Sequence, residues 1–289
     1  MKTAIVTGAT GFVGIHLITE LLANDVDVVA LCRRESSNIS RLPANVKVVY
    51  DITALRRADV FYHLAWNGAS WPGRADAMLQ ARNTEMTLNL LTVAQGLCCG
   101  KFVALGTVYE QFAQRVRDIG RTSGSDFYLL SKDYAHTTAK RLAFELKMDF
   151  VWCTVCHPIG RYIKPEQLMA YVIKGLVCGE KTELGPAATP YDIIAVEDLA
   201  FGLYLLGEEA VCGDYFVGSG KPRLLREYLE EAQRVLGVQT KLGIGERPDD
   251  GLRFDESWFD ITKIATDTGY LPRMDFAQAV KNVADWVKV

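Results

Sequence analysis

The chain opens on a short apolar run at positions 4–6, passes through glycines at 8, 11 and 14, and resumes with apolar residues at helical spacing over 15–23. Short apolar runs bounded by turn residues read as buried strands, and apolar positions recurring every three to four residues read as helices. By that pattern further strands fall at 26–31, 46–50, 60–64, 102–105 and 150–156, and long helices at 75–94 and 126–146. Between the third and fourth strands there is room only for a helix-like stretch at 53–58. Strands separated by helical runs predict a parallel, doubly wound α/β sheet whose ligands gather at the carboxyl ends of its strands. Gly8, Arg33, Asp51, Ala65 and Thr107 all fall on that edge.

Beyond residue 162 the pattern changes to shorter elements: helices at 165–178 and 225–236, a loop at 185–190, an acidic and aromatic stretch at 249–259 and a closing helix at 276–287. The expectation is a Rossmann body over 1–162 and a smaller α/β capping region over 163–289, with segments near 191–204 and 214–220 returning to the body.

Composition adds exclusions. At 289 residues, 49% hydrophobic and 23% charged, the chain has the make-up of an ordinary globular protein. A formal net charge of −3 with no long Lys/Arg block argues against nucleic-acid binding. The absence of an apolar run of bilayer length, and a start directly in a strand, predict a cytoplasmic protein without membrane attachment. Seven cysteines in mostly apolar surroundings suggest reduced thiols rather than a disulfide framework. Cys153 and Cys156 fall within one predicted strand, where residues three apart face opposite sides, so a shared metal is not expected.

The candidate chemistry begins at the glycines. Gly8 permits a tight turn at the strand end, Gly11 lets backbone approach a pyrophosphate, and Gly14 lets the helix pack on the strand, so an anion meets the helix N-terminus. The second strand ends in Cys32-Arg33-Arg34, then Ser36, Ser37 and Asn38. Guanidinium forks and hydroxyls suit a ribose 2′-phosphate, whereas a carboxylate there suits a free 2′-OH, so NADP(H) is expected over NAD(H). Tyr128 and Lys132 lie four apart on a predicted helix and share a face. A nearby cation favours the phenolate of a tyrosine, and a hydroxyl from Thr107 at a strand end could bond a carbonyl or alcohol, giving a proton-transfer unit.

Taken together, TGATGFVG at 7–14, Asp51-Ile52, HLA at 63–65, Asn83, Gly106-Thr107, Tyr128-x-x-Ser-Lys132, His157-Pro158, VEDLA at 196–200, FVGSGK at 216–221 and ERPDD at 246–250 resemble the extended short-chain dehydrogenase/reductases. The likeness is to their nucleotide-sugar epimerases, dehydratases and ketoreductases. It implies Tyr128 as acid/base, Lys132 lowering its pKa and holding the nicotinamide ribose, and Thr107 on the reacting oxygen. It also implies a cofactor surface of Gly8, Gly11, Phe12, Val13, Arg33, Arg34, Asp51, Ile52, Leu64, Ala65, Trp66 and Asn83. Pro158 and Ile159 would face the nicotinamide, and Tyr109 and Arg247 would meet the substrate, Arg247 at its pyrophosphate. Family members often form homodimers through the helices here at about 76–95 and 126–146.

Departures from the family pattern narrow the expectation. Dehydratases usually follow the threonine with Asp-Glu; here Val108 and Tyr109 follow, with Glu110 after them. Epimerases carry a serine-rich run before it and an acid at the second strand end, where this chain has Leu105-Gly106 and Cys32-Arg33. The V-Y-G-P segment is replaced by Gly160-Arg161-Tyr162-Ile163. The expected activity is NADPH-dependent reduction of a nucleotide-linked keto-sugar, of the 4-keto-6-deoxy type. An NAD(P)-dependent epimerase and a non-catalytic NADP-binding partner protein are the alternatives.

Overall fold

The computed structural model describes residues 1–119 and 125–288. Its centre is a seven-stranded sheet of β1 (Thr3–Thr7), β2 (Asp27–Leu31), β3 (Lys47–Val49), β4 (Val60–His63), β5 (Lys101–Leu105), β6 (Asp149–Thr154) and β11 (Gly213–Phe216). The strands lie in the order β11-β6-β5-β4-β1-β2-β3 and every neighbouring pair is parallel. The order reverses between β1 and β4, which opens a crevice at their carboxyl ends.

Helices cover both faces, so the central strands are apolar throughout rather than alternating. On one face α1 (Phe12–Ala23) and α6 (Val196–Glu208) bury Leu17, Leu21, Leu199 and Leu203 against Ala4, Val6, Val103 and Val151. On the other, α2 (Ala77–Gly96) and α4 (Asp126–Glu145) pack on Ile5, Phe61, Phe102, Phe150 and Trp152. Ala135, Ala139 and Ala143, one turn apart on α4, are all buried and bring that helix close to the sheet. Phe102 stacks between Phe61 and Phe150, with ring centres 5.4 and 6.2 Å away, in an aromatic ladder across three strands. A short helix, α3 (Ala113–Ile119), precedes α4.

A second core lies among α5 (Leu168–Cys178), α7 (Leu225–Leu236) and α9 (Phe276–Val287), where Ile173, Leu176, Leu229, Val280 and Val283 meet. Three two-stranded ribbons attach to it: β7 (His157–Ile159) with β10 (Ile193–Ala195), β8 (Thr182–Leu184) with β13 (Leu242–Ile244), and β9 (Pro190–Tyr191) with β12 (Arg223–Leu224). Helix α8 (Thr262–Thr268) packs near α6 and β11. None of the described helices is long and apolar enough to cross a membrane.

Two predicted elements differ. The stretch at 53–58 forms only a 3-10 turn, Ile52–Ala54, because Asp51 caps it by accepting from Thr53 N and Thr53 Oγ1 and the chain leaves extended at Leu55. The apolar run at 150–156 splits: β6 ends at Thr154, and His157–Ile159 pairs instead with β10. An unbroken apolar pattern cannot reveal that a strand changes sheets.

Candidate functional site

The glycine turn is held by contacts that only glycine permits. Gly8 has φ +67°, and a Cβ there would sit 2.7 Å from both Ala65 N and Leu64 C, so the turn is pressed against the end of β4. A Cβ at Gly14 would lie 2.2 Å from Gly8 O. Gly11 N donates to Gly8 O at 2.9 Å, and Gly11 caps α1 with no side-chain hydrogen bond. The first-turn N–H groups, at Phe12 and Val13, therefore face the crevice mouth without a side-chain cap, which fits the pyrophosphate of a dinucleotide. The Phe12 and Val13 side chains themselves pack inward.

Around this turn the loop after β2 closes in. Ser36 Oγ donates to Thr10 Oγ1 at 2.8 Å, and Arg33 Nη1 reaches Asn67 Oδ1 at 3.4 Å. Arg34 lies over the Tyr50 ring at 5.0 Å, and neither arginine pairs with a carboxylate among the described residues. Asp51 and Ile52 are exposed at the neighbouring strand end. The Thr53 backbone and hydroxyl, and then Arg34, hold the Asp51 carboxyl below the usual range.

Two residues expected at the cofactor are buried and have protein partners of their own. Asn83 is 1% exposed, and its amide is consumed by Asn67, accepting from Asn67 N at 2.9 Å and donating to Asn67 O at 2.8 Å. It staples the loop after β4. Ile159 is 0% exposed in the core beneath α5 and α9, because Pro158 and Ile159 alternate across β7 and only one can face outward. Pro158 is half-buried. Also in the β4 loop, Trp66 Nε1 donates to Gln80 Oε1 at 2.8 Å. His63 bonds Thr7 and Thr87 through its two ring nitrogens, at 3.0 Å each, tying β1, β4 and α2 together. Burial, then the Lys132 charge, pulls its pKa down to about 3.

The trio assembles where β5 ends beside α4. Thr107, Tyr128 and Lys132 are all nearly buried. Thr107 starts the 3-10 turn Val108–Phe112 and is the hydrogen-bonding neighbour of the Tyr128 hydroxyl. Burial raises the Tyr128 pKa above that of a free phenol, against the lowering influence of the Arg74 guanidinium and the Thr107 hydroxyl. Lys132 has partners of its own. Its Nζ donates to Leu105 O at 2.7 Å and lies 3.7 Å from the centre of the Trp66 ring, so the cation beside the phenol is that of Arg74. Burial pulls the Lys132 pKa down to about 7, with Glu110 opposing.

On the capping side, Tyr109 is hydrogen-bonded to Tyr191 and packs edge-on against Phe254 at 5.2 Å. Tyr191 in turn lines a cavity of about 340 Å³ with Leu184, Pro186, Arg247 and Arg253. Arg247 is half-exposed there, over the Tyr171 ring at 5.5 Å and 4.0 Å from Glu183. The tyrosine pair joins this cavity to the trio.

Three residues of the site escape motif reading. Arg74 emerges from a Gly/Pro/Ser segment that reads as a plain loop. Glu110 and His136 meet beneath Thr107; the signal for His136 was its position one turn beyond Lys132 and two beyond Tyr128 on α4.

A sequence model of the NAD dependent epimerase/dehydratase family matches residues 4–218, most of the chain. The chain belongs to this family. The chain is similar to the CDP-abequose synthase of Salmonella muenchen, 24% identical over 286 residues that cover 96% of this chain and 92% of the relative. Among solved structures, the UDP-N-acetylglucosamine 4-epimerase of Methanobrevibacter ruminantium M1 superposes with a TM-score of 0.82 at 19% identity, covering 99% of this chain and 97% of the other. DesIV, a dTDP-glucose 4,6-dehydratase of Streptomyces venezuelae solved with NAD bound, gives 0.81 at 23% identity, covering 99% and 96%. These likenesses establish the fold, and family membership makes the chain an enzyme of the extended short-chain dehydrogenase/reductase type.

Proposed function

We propose that this enzyme reduces a nucleotide-linked keto-sugar with NADPH, the sugar being of the 4-keto-6-deoxy type. The observation that carries the reading is the occupation of Glu110. The carboxylate following Thr107, in the stretch where dehydratases place their acidic pair, is spent on Thr107 N, Trp152 Nε1 and His136, and is buried away from any sugar. Among the described residues, no free carboxylate remains beside the phenol in that stretch to remove a carbon-bound proton. What remains is a buried phenol, a hydroxyl and two cations, which suits carbonyl reduction.

Residues 1–162 and their returning segments would hold the dinucleotide, and 163–289 would cover the sugar nucleotide. The glycine turn and the α1 N–H groups would take the pyrophosphate, Lys132 the nicotinamide ribose, and Arg33, Arg34 and Ser36 a 2′-phosphate. When bound, the nicotinamide supplies the hydride. Tyr128 would deliver the proton to the developing alkoxide while the Thr107 hydroxyl donates to the same oxygen. Arg247, with its planar fork, would meet the substrate pyrophosphate in the cavity beyond Tyr191.

The test is consumption of NADPH, against NADH, by purified enzyme given a panel of nucleotide 4-keto-6-deoxy-sugars. No turnover of any member, or full activity in Tyr128→Phe, would sink the reading. The family description and the epimerase neighbours favour a second reading, NAD(P)-dependent epimerisation; sugar interconversion without net NADPH loss would support it.

A further inference from the structure

Behind the reacting trio sits an ionic group that the chemistry above does not use. Glu110 is 7% exposed, and both of its carboxylate oxygens are occupied: Oε1 accepts from Thr107 N at 2.8 Å, and Oε2 accepts from Trp152 Nε1 at 3.0 Å and lies 3.2 Å from His136 Nδ1. His136 stacks flat on Trp152, with ring centres 4.7 Å apart and planes within 2°. Its Nε2 meets Asp214 Oδ1 at 2.9 Å, and Lys140 Nζ meets Asp214 Oδ2 at 2.6 Å. Tyr128, Lys132, His136 and Lys140 are successive i, i+4 positions on α4. One helix face thus runs from the phenol, past Glu110, to an ion pair at the surface.

We propose that Glu110 and His136 are positioning residues for the reaction: Glu110 fixes the Thr107 backbone and supplies the counter-charge for Lys132, and His136, anchored by Asp214, holds Glu110 in place. This rests on reading Thr107, Tyr128 and Lys132 as the reacting trio.

Lys132 Nζ lies 5.7 Å from the centre of the Trp152 ring, whose Nε1 donates to Glu110, so Glu110 acts on the ammonium from the far side of that indole rather than as a direct ion pair. An ammonium enclosed in an apolar pocket is expensive unless a carboxylate faces it. The groups around Lys132, Glu110 and His136 are His63 from β4, Arg74 and Tyr109 near the phenol, Tyr128 and Lys140 from α4, Cys153 from β6 and Asp214 from β11. The carboxylates there are Glu110 and Asp214, and Asp214 is committed to His136 and Lys140 at the surface. His63 is neutral, and burial pushes the Cys153 thiol far up. Burial also works against a charge on His136, but the hydrogen bonds to Asp214 and Glu110 outweigh it and carry its pKa up to about 9. His136 therefore stays cationic at neutral pH, 3.2 Å from Glu110 Oε2. Gly106 completes the arrangement: a Cβ there would lie 2.2 Å from Trp152 Nε1 and 2.7 Å from Glu110 Oε1.

The test reads Lys132 directly and needs no substrate. In enzyme labelled with ¹³C at the lysine ε-carbons, the Lys132 signal is assigned by its loss in Lys132→Arg and titrated. In Glu110→Gln its midpoint is expected to fall by at least about half a pH unit, and Glu110→Asp, which keeps the charge, should bring it back. His136→Gln is expected to move the midpoint the other way, because a positive neighbour is lost and the Glu110 charge is no longer shared. It serves as the deciding variant if Glu110→Gln does not fold. An unmoved midpoint in a folded Glu110→Gln, or in His136→Gln, overturns the proposal. A shifted midpoint without keto-sugar turnover upholds the electrostatic assignment and removes the substrate reading instead.

Discussion

The Arg74 guanidinium lies 4.5 Å from the centre of the Tyr128 ring, and among the described residues no carboxylate pairs with it. Its Nε donates to Ala69 O at 2.7 Å, which fixes the fork above the phenol and within 5.5 Å of the Tyr109 ring. A cation over an aromatic face contributes about 0.5–2 kcal/mol.

Arg74→Gln is therefore expected to lower kcat/KM about tenfold, the rate equivalent of about 1.4 kcal/mol. Burial already raises the phenol pKa, and losing the guanidinium raises it further. In the alcohol-oxidation direction, where the phenolate is needed, the pH at which the rate climbs should move up. Rates followed against pH, with Arg74→Lys recovering part of the loss, check this.

Lys132 sets stability against function. Its folded pKa of about 7 lies below the ordinary lysine value, so below pH 7 the folded state holds a buried charge that the unfolded chain holds in water. That cost is full below pH 7 and fades as pH rises toward the unfolded value. Lys132→Met should raise Tm at pH 6, lose that advantage progressively above pH 7, and reduce turnover at least about a hundredfold. Calorimetry across pH with a parallel assay checks both halves.

In the proposed reading, the loop after β2 chooses between the two dinucleotides. Arg33→Ala, with Arg34→Ala, is expected to weaken NADPH binding about tenfold or more while changing NADH binding little, since only the former presents a 2′-phosphate. Titration of both dinucleotides against each variant decides it; equal losses would remove the assignment.

Gly106→Ala should cost about 1–3 kcal/mol, because the added methyl meets an indole and a carboxylate pinned by their own hydrogen bonds. Thr107 follows directly, so turnover should fall with Tm. Chemical denaturation followed by tryptophan fluorescence measures the first and the reductase assay the second.

The legible features were those with a local signature. The glycine turn, the alternation of strands with helices, and Tyr128 four residues before Lys132 each follow from spacing alone. α7 and α9 lie at the residues their periodicity marks, 225–236 and 276–287. The partners each residue finds were set by tertiary contacts and could not be read locally. Asn83 lies in a recognisable motif, yet Asn67 consumes its amide. Ile159 follows a strand-end motif, yet a register that only the β10 pairing fixes turns it into the core. The motif brings Lys132 to the phenol's face of the helix, but Leu105 O and the Trp66 ring decide where its ammonium points. Arg74 had no pattern to betray it, since a turn segment can aim a side chain anywhere.

The last strand of the main sheet comes late in the chain. β6 pairs with β5 on one side and waits for Gly213–Phe216 on the other. During synthesis, the strand carrying Trp152 thus remains an open edge while the second core's first helix is already emerging, and long-range pairing of this kind is slow. Residues 1–162, proposed above to hold the dinucleotide, cannot be cut from the chain and be expected to stay soluble, because their sheet would end on an apolar, unpaired strand. A fragment meant to bind cofactor alone has to run through Phe216.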